Sequence, residues 1–297
     1  MKSQLCLGTA QFGGKYGVTN KDGKPDDKEI ELILKNALSN NIKFFDTANA
    51  YGDAETILGE KLKNGNINLI TKFNSGVKDS FSDYEIHKLE NNLKKTLKNL
   101  RRNDIDSYLL HDASALKKKN SYLLFNWLEE MRSHGKIKRI GISIYEESDL
   151  DDIPLQNIQV VQMPISIYDQ RLLKNSFINR LLENNISIHI RSIFLQGLLL
   201  QKSINWPKHI NKKFLKHHYN YENEISANNL SLMDAAISFI KQLDFPELIL
   251  FGVTSSLELI SINKSWNSEK VLNNQLNFKT FRWDNINDID PRKWIYN

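Results

Sequence analysis

Four polar side chains follow short apolar runs, and together they could deliver a proton to a carbonyl. Asp46 and Tyr51 come after Ile42–Phe45, in the stretch Asp46-Thr47-Ala48-Asn49-Ala50-Tyr51-Gly52. Lys72 follows Leu69–Ile70, and His111 follows Ile105–Leu110. A phenol ionises near pH 10 (about 10), too high for efficient acid catalysis at neutral pH. A lysine ammonium beside it favours the phenolate and lowers that pKa. A carboxylate would hold the ammonium in place and keep it charged, and an imidazole could hydrogen-bond a substrate carbonyl and orient it. Taken singly, Asp46 could be a helix cap, Tyr51 a turn residue and His111 a satisfied core histidine. Four such groups at consecutive run ends favour one shared site. His87, His134, His189, His209, His217 and His218 lack such company and read as structural or solvated. Neither H-x-H nor H-E-x-x-H occurs, so no zinc site is indicated. Cys6 falls inside the first run and reads as buried.

The elements that must position these groups alternate from one end of the chain to the other. Apolar runs at Leu5–Leu7, Ile42–Phe45, Leu69–Ile70, Ile105–Leu110, Ile137–Ile144, Ile158–Met163, Ile186–Ile190 and Leu248–Phe251 predict eight strands. Between them, helical periodicity places Ile30, Ile33, Leu34, Ala37 and Leu38 on one face, then Ile86, Leu89, Leu93 and Leu97 on another. Leu123, Leu124, Trp127, Leu128 and Met131 repeat the pattern, as do Ala235, Ala236, Phe239, Ile240 and Leu243. Asp26 and Ser231 are placed to cap the first and last long helices. Continuous apolar strands alternating with helices predict an α/β fold with a parallel sheet covered on its outside. Eight units in this length fit a (β/α)8 barrel, whose functional groups stand at the C-terminal strand ends; the rival is an open doubly wound sheet. Residues 201–230 and the tail from Asn267 fall outside the rhythm, and no linker composition divides the chain. A single unit over 1–297, with the tail 267–297 over the barrel mouth, is expected.

Composition narrows the function classes. The 297 residues hold 40 Lys+Arg against 35 Asp+Glu, a net charge of +5 that is spread along the chain. No nucleic-acid signature accompanies that excess, so no nucleic-acid partner is expected. One cysteine excludes an intramolecular disulfide framework. No apolar run reaches the roughly 18–20 residues of a membrane span, and the opening MKSQLCLGT lacks a signal-peptide core. A soluble, cytoplasmic protein without a membrane partner is the expectation, and the sequence sets no oligomeric state.

The chain resembles the aldo-keto reductases over nearly its whole length. The likeness rests on Leu7-Gly8-Thr9-Ala10-Gln11-Phe12-Gly13, on Phe45-Asp46-Thr47-Ala48 with Tyr51-Gly52, on Thr71-Lys72, on Leu97 to His111, and on Gly135-Lys136-Ile137 to Gly141-Ile142-Ser143. The resemblance implies a (β/α)8 barrel that transfers hydride between a nicotinamide cofactor and a carbonyl or alcohol. It also implies Tyr51 as general acid, Lys72 and Asp46 as the groups that tune it, and His111 as the group that orients the carbonyl. No Gly-x-Gly-x-x-Gly follows the first strand, which disfavours a Rossmann site. By resemblance the cofactor would lie across the barrel mouth, near Gly8 and Thr9. Ser143 and Gln162 would hold the carboxamide. Arg191, Ser192, Phe194, Leu195 and Gly197 would follow strand seven, and Gly252, Val253, Thr254, Ser255 and Glu258 strand eight.

Three positions depart from the family pattern. Ser143-Ile144 replaces a frequent Ser-Asn, and Arg191 stands where many members stack an aromatic ring. Glu258 would repel an adenosine 2′-phosphate but could accept from a 2′-hydroxyl. The family habit keeps NADP(H) ahead of NAD(H) as the expected cofactor. Gln11 to Tyr16, residues 201–230 and the tail with Trp283, Pro291, Arg292 and Trp294 would shape the substrate pocket. The Asp290 to Trp294 ending and the Ser192 to Leu199 run resemble a bacterial branch associated with sugar and surface-polysaccharide pathways. A small carbonyl compound, a sugar or nucleotide-sugar among the candidates, fits Arg191 and the lysines Lys208, Lys212, Lys213 and Lys216, which equally suit a solvated surface loop. Two other classes compete: a nucleotide-binding sensor without turnover, and a metal-independent hydrolase or lyase. The first has no need of a tuned phenol, and the second lacks paired carboxylates or a Ser-His-Asp order.

Overall fold

In the computed structural model, which describes residues 3–63, 65–207, 210–273 and 276–294, eight parallel strands close on themselves in chain order. They are β1 (Gln4–Gly8), β2 (Phe44–Asp46), β3 (Asn68–Phe73), β4 (Ile105–Leu110), β5 (Ile137–Ser143), β6 (Val160–Pro164), β7 (Ser187–Arg191) and β8 (Pro246–Gly252). β8 pairs back onto β1, so the open-sheet alternative is excluded and the (β/α)8 barrel stands. The helices are α1 (Ala10–Gly13), α2 (Asp27–Ser39), α3 (Ala54–Lys61), α4 (Asp83–Leu100), α5 (Tyr122–Ser133), α6 (Asn175–Glu183), α7 (Lys212–Ala227), α8 (Leu232–Lys241), α9 (Ser256–Trp266), α10 (Glu269–Leu272) and α11 (Ile286–Ile289). Between β5 and β6, two short 3-10 helices (Glu147–Leu150 and Leu155–Asn157) take the place of an α-helix. Asp26 and Ser231 cap α2 and α8 by accepting backbone N–H bonds, as their positions predicted. Leu38 is a correction: it is exposed, while Ile30, Ile33, Leu34 and Ala37 carry the buried face of α2.

The segment 201–230, unplaced by the sequence rhythm, contains α7, an extra helix ahead of α8. Its buried residues Phe214, His218, Tyr221 and Ile225 fall at helical spacing. Lys212, Lys213 and Lys216 lie exposed on it, and Lys208 and His209 lie outside the described residues. The tail docks on this helix. Trp283 stacks on Phe214 at 5.2 Å, His217 bonds the Phe281 carbonyl at 2.9 Å, and Trp283 N–H bonds the Tyr168 carbonyl at 3.0 Å.

Inside the barrel, Cys6, Phe44, Ile70, Leu109, Val160, Leu248 and Leu250 form an apolar plug separate from the core between strands and helices. Strand side chains alternate faces, so the residue two positions further along each strand also points inward. Two steps on from Cys6, Phe44, Ile70, Leu109, Val160 and Leu250 come Gly8, Asp46, Lys72, His111, Gln162 and Gly252. The same count along β5 and β7, from Gly141 and His189, gives Ser143 and Arg191. One layer above the plug therefore gathers the polar groups of six strands, with a glycine from each of β1 and β8. Cys6 is fully buried in the plug, and burial pushes its thiol well up, so it is inert.

Below the plug, a charged network closes the floor. Arg139 bonds Asp106 at 2.6 Å and Glu247 at 2.7 Å, and His189 Nε2 meets Glu247 at 3.0 Å. Burial alone would raise the Glu247 carboxyl; the His189 hydrogen bond and the Arg139 fork reverse this and hold it at about 2. Because the folded state binds this proton less readily than the unfolded chain, the stabilisation is complete above about pH 4.5 and is lost as the pH falls toward 2. Urea midpoints measured from pH 5 to pH 2.5 should fall with pH, and Glu247→Gln should flatten that slope. An identical slope in the variant would exclude Glu247 as its source.

Candidate active site

Lys72 and Asp46 form a buried ion pair one layer above the plug. The ammonium also donates to the Thr47 carbonyl at 2.9 Å, and Gln162 Nε2 donates to the second Asp46 oxygen at 2.9 Å. Burial works against the Lys72 charge, but the Asp46 carboxylate and the nearby Tyr51 oxygen outweigh it and raise the ammonium pKa. Lys72 Nζ lies 5.2 Å from the Tyr51 ring centroid, and the Tyr51 and His111 rings meet edge to face at 6.0 Å. Burial pushes His111 down to about 4, helped by the Lys72 and Arg191 charges, so its ring is neutral at pH 7. The four groups singled out in the sequence are thus brought together.

Backbone geometry sets the phenol's position. Thr9 anchors the end of β2, its N–H and its hydroxyl both donating to the Asp46 carbonyl at 2.9 and 3.0 Å. The chain then turns through Tyr51 to Gly52, which has φ 53°. Here it runs hard against Gly13: a methyl group on Gly13 would sit 1.7 Å from the Tyr51 carbonyl oxygen, and one on Gly52 would sit 2.4 Å from the Gly13 oxygen. Neither neighbour is a flexible side chain, so the backbone itself would have to move. Gly13→Ala should therefore cut turnover by about 100-fold, because an ångström of displacement at a reacting group costs about that much. Circular dichroism and a thermal melt would check that the barrel persists; unchanged turnover would mean the Gly13–Gly52 contact does not position Tyr51.

A family model described as "Aldo/keto reductase family" matches residues 4–276. The chain belongs to that family. A curated relative, the "Uncharacterized oxidoreductase YrpG" of Bacillus subtilis (strain 168), is 31% identical over 126 residues, covering 37% of this chain and 36% of the relative. The chain thus spans about a third of that relative's length. Among solved structures, the aldo-keto reductase AKR11C1 from Bacillus halodurans in its holo form has a TM-score of 0.70 at 19% identity, covering 94% of this chain and 91% of that one. The glycerol dehydrogenase AKR11B4 from Gluconobacter oxydans has a TM-score of 0.69 at 18% identity, covering 97% and 92%. At such identities the structural likeness speaks for the fold.

Around the mouth of this aldo/keto reductase, the remaining sequence candidates divide into two groups. Ser143 and Gln162 pair in register, and Gln162 Oε1 is buried without a hydrogen-bond partner among the described residues. Arg191 and Gly252 also stand in the polar layer. Phe194, Leu195 and Val253 instead bury their side chains in the core, which leaves only their backbone for a ligand. Thr9 spends its hydroxyl on Asp46, and the amide of Gln11 fills the space above Gly252. In the loop after β7, Ser192, Leu195, Gln196 and Gly197 all have positive φ. That loop meets the β1 loop, where Thr19 hydroxyl donates to the Gln196 carbonyl at 3.2 Å and leaves no room for a side chain on Gly197. After β8, Glu258 accepts from the Thr254 N–H at 2.6 Å and its hydroxyl at 3.1 Å. Ser255 caps α9, and Glu29 of α2 accepts from the Ser256 N–H.

Tyr145 and Glu29 were not singled out by sequence. Tyr145 follows β5 and lies beneath two guanidinium groups, with Arg191 at 4.1 Å and Arg292 at 3.3 Å from its ring centroid. Its place just past a strand end was the available signal. Glu29 had none, because its partner lies 227 residues away.

Proposed function

We propose that this protein reduces a small carbonyl compound with a nicotinamide nucleotide, using Tyr51 as the proton donor. Family membership already places it among carbonyl oxidoreductases in general. The observation that carries the finer reading is the buried Lys72–Asp46 pair beside the Tyr51 ring, with a neutral His111 against it. When bound, the reduced nicotinamide supplies the hydride that adds to the carbonyl carbon. Tyr51 gives its hydroxyl proton to the carbonyl oxygen as negative charge develops there, and the Lys72 ammonium stabilises the phenolate that remains. His111, neutral and therefore able to donate a single hydrogen bond, orients the same oxygen. Asp46 keeps the ammonium charged, and Gln162 keeps Asp46 in place.

The residues fit a nicotinamide at one end of the mouth. Gln162 Oε1, a buried acceptor without a partner among the described residues, and the neighbouring Ser143 match a carboxamide's need for an acceptor and a donor. At the β8 loop, Glu258 and Glu29 already occupy the N–H groups of Thr254 and Ser256. Two carboxylates there oppose a 2′-phosphate, and this supports NAD(H) ahead of the NADP(H) that the family habit suggests. A single unit over 1–297 with its tail from 267 laid across the mouth is part of this reading, supported by the seat of Arg292 on Tyr145. So is a soluble cytoplasmic setting; no helix among the described residues is long and apolar enough to cross a membrane. A sugar derivative remains the proposed kind of substrate.

Fluorescence titration with NADH and with NADPH tests the proposal. Binding of NADH at least tenfold tighter than NADPH is expected. Binding of neither by folded protein would overturn the reductase reading, and tighter NADPH would overturn the role given to Glu258 and Glu29. Binding without turnover of any carbonyl would favour the sensor.

A further inference from the structure

Several cations at or beside the C-terminal end of the barrel hold a carboxylate of their own. Lys72 pairs with Asp46, Arg171 with Asp169 at 2.8 Å, and Arg292 with Asp290 at 2.6 Å. Arg191 pairs with no carboxylate among the described residues. Its guanidinium donates to the Ile144 carbonyl at 3.0 Å, has Ser192 Oγ at 3.5 Å, and lies over the Tyr145 ring. A guanidinium carries five N–H donors, so these two neutral acceptors leave most of the fork open, and only the Tyr145 ring face meets its charge. Arg191 is half-buried, so water meets part of its charge and an anion could take that place without displacing a carboxylate of the protein.

Its position says where that partner would sit. Arg191 occupies the same inward layer as Lys72 and His111, and its charge acts on both of them. An anion bound there lies beside any carbonyl held by Tyr51 and His111. The fork is also fixed in advance, since the Ile144 carbonyl and the Tyr145 face hold it while Arg292 packs on the same ring. Next to Tyr145 a cleft of about 580 Å³ opens between the β5 and β6 loops and the tail, lined by Glu146, Glu147 and Asp151 as well as by Arg171, Lys174 and Ile286. Its cations Arg171 and Lys174 are already paired, with Asp169 and Glu147, so Arg191 has the stronger claim on an incoming anion.

We propose that Arg191 receives a carboxylate or phosphate carried by the carbonyl substrate, so that the preferred substrates are anionic aldehydes or ketones. The assignment rests on the reductase reading above and goes beyond it in naming the charge of the substrate. Two matched pairs test it: 4-oxobutanoate against butanal, and glyceraldehyde 3-phosphate against glyceraldehyde. Wild-type kcat/KM should favour the anionic member of each pair, chiefly through KM. Arg191→Met should reduce that anionic-to-neutral ratio by at least about 30-fold, the scale of losing a desolvated charge pair. Arg191→Lys should restore part of it. Both members falling together would overturn the proposal and make Arg191 a stabiliser of the transition-state charge. An unchanged ratio with weakened NADH and NADPH binding would overturn it in favour of a cofactor anion. Calorimetry with succinate and with glycerol 3-phosphate, run with cofactor present, needs no turnover. Binding of neither anion overturns the proposal, even if neutral aldehydes are reduced. Binding of either, lost in Arg191→Met, upholds the anion site at Arg191; if no carbonyl then turns over, the reductase reading fails and the site's ligand is an anion that is not a carbonyl substrate.

Discussion

Tyr51→Phe should lower carbonyl reduction by about 10²–10⁴-fold, the usual contribution of a positioned general acid. The substitution removes one oxygen and keeps the ring, so the edge-to-face contact with His111 and the Lys72 ammonium over the ring can both persist. Melting temperature and nicotinamide-nucleotide affinity should therefore stay near wild type. This separation is the point of the experiment: the loss should appear in turnover, with the folded protein and its cofactor site intact. Full turnover by the variant would remove Tyr51 from the mechanism.

Lys72→Met should damage both stability and turnover, for one electrostatic reason. Asp46 is buried, and without Lys72 its charge keeps only the Gln162 hydrogen bond among the described side chains. Stranding one member of a buried ion pair typically costs about 3–5 kcal/mol. Turnover should fall as far as in Tyr51→Phe or further, since the positive charge that stabilises a phenolate is gone. The double variant Asp46→Asn with Lys72→Met separates the two effects. Neutralising both partners should recover most of the stability, measured by urea unfolding, and none of the turnover. Recovery of turnover with stability would show that the ammonium serves the fold alone.

The local chemistry was legible because Asp46, Lys72 and His111 stand at the ends of apolar strands, where side chains alternate with a period of two; Tyr51 lies five residues past β2, in the turn. That alternation alone puts Asp46, Lys72 and His111 in the same inward layer as Gly8, Gln162, Arg191 and Gly252, once the sheet is closed. Helix starts were legible too, because Asp26 and Ser231 act on N–H groups only three residues away. The buried face of α2 was one residue too wide, since Leu38 lies at the stripe's edge, where packing and not periodicity decides exposure.

Contacts between distant segments could not be read in this way. The Gly13–Gly52 contact, the capture of the Ser256 N–H by Glu29 and the tail's seat on α7 join residues whose sequence separation carries no signal. The same holds for charge. The sequence shows that Arg191 is a cation near a strand end. Only the fold shows that Lys72, Arg171 and Arg292 each have a carboxylate while Arg191 pairs with none among the described residues. The sequence by itself determined the alternation of strands and helices and the polar candidates at the strand ends, because both follow from short-range periodicity; closure of the sheet into a barrel came from the pairing of β8 with β1. The tertiary structure decided which of those groups are paired, neutral or left charged, because electrostatic partnership depends on distance in space and on exclusion from water.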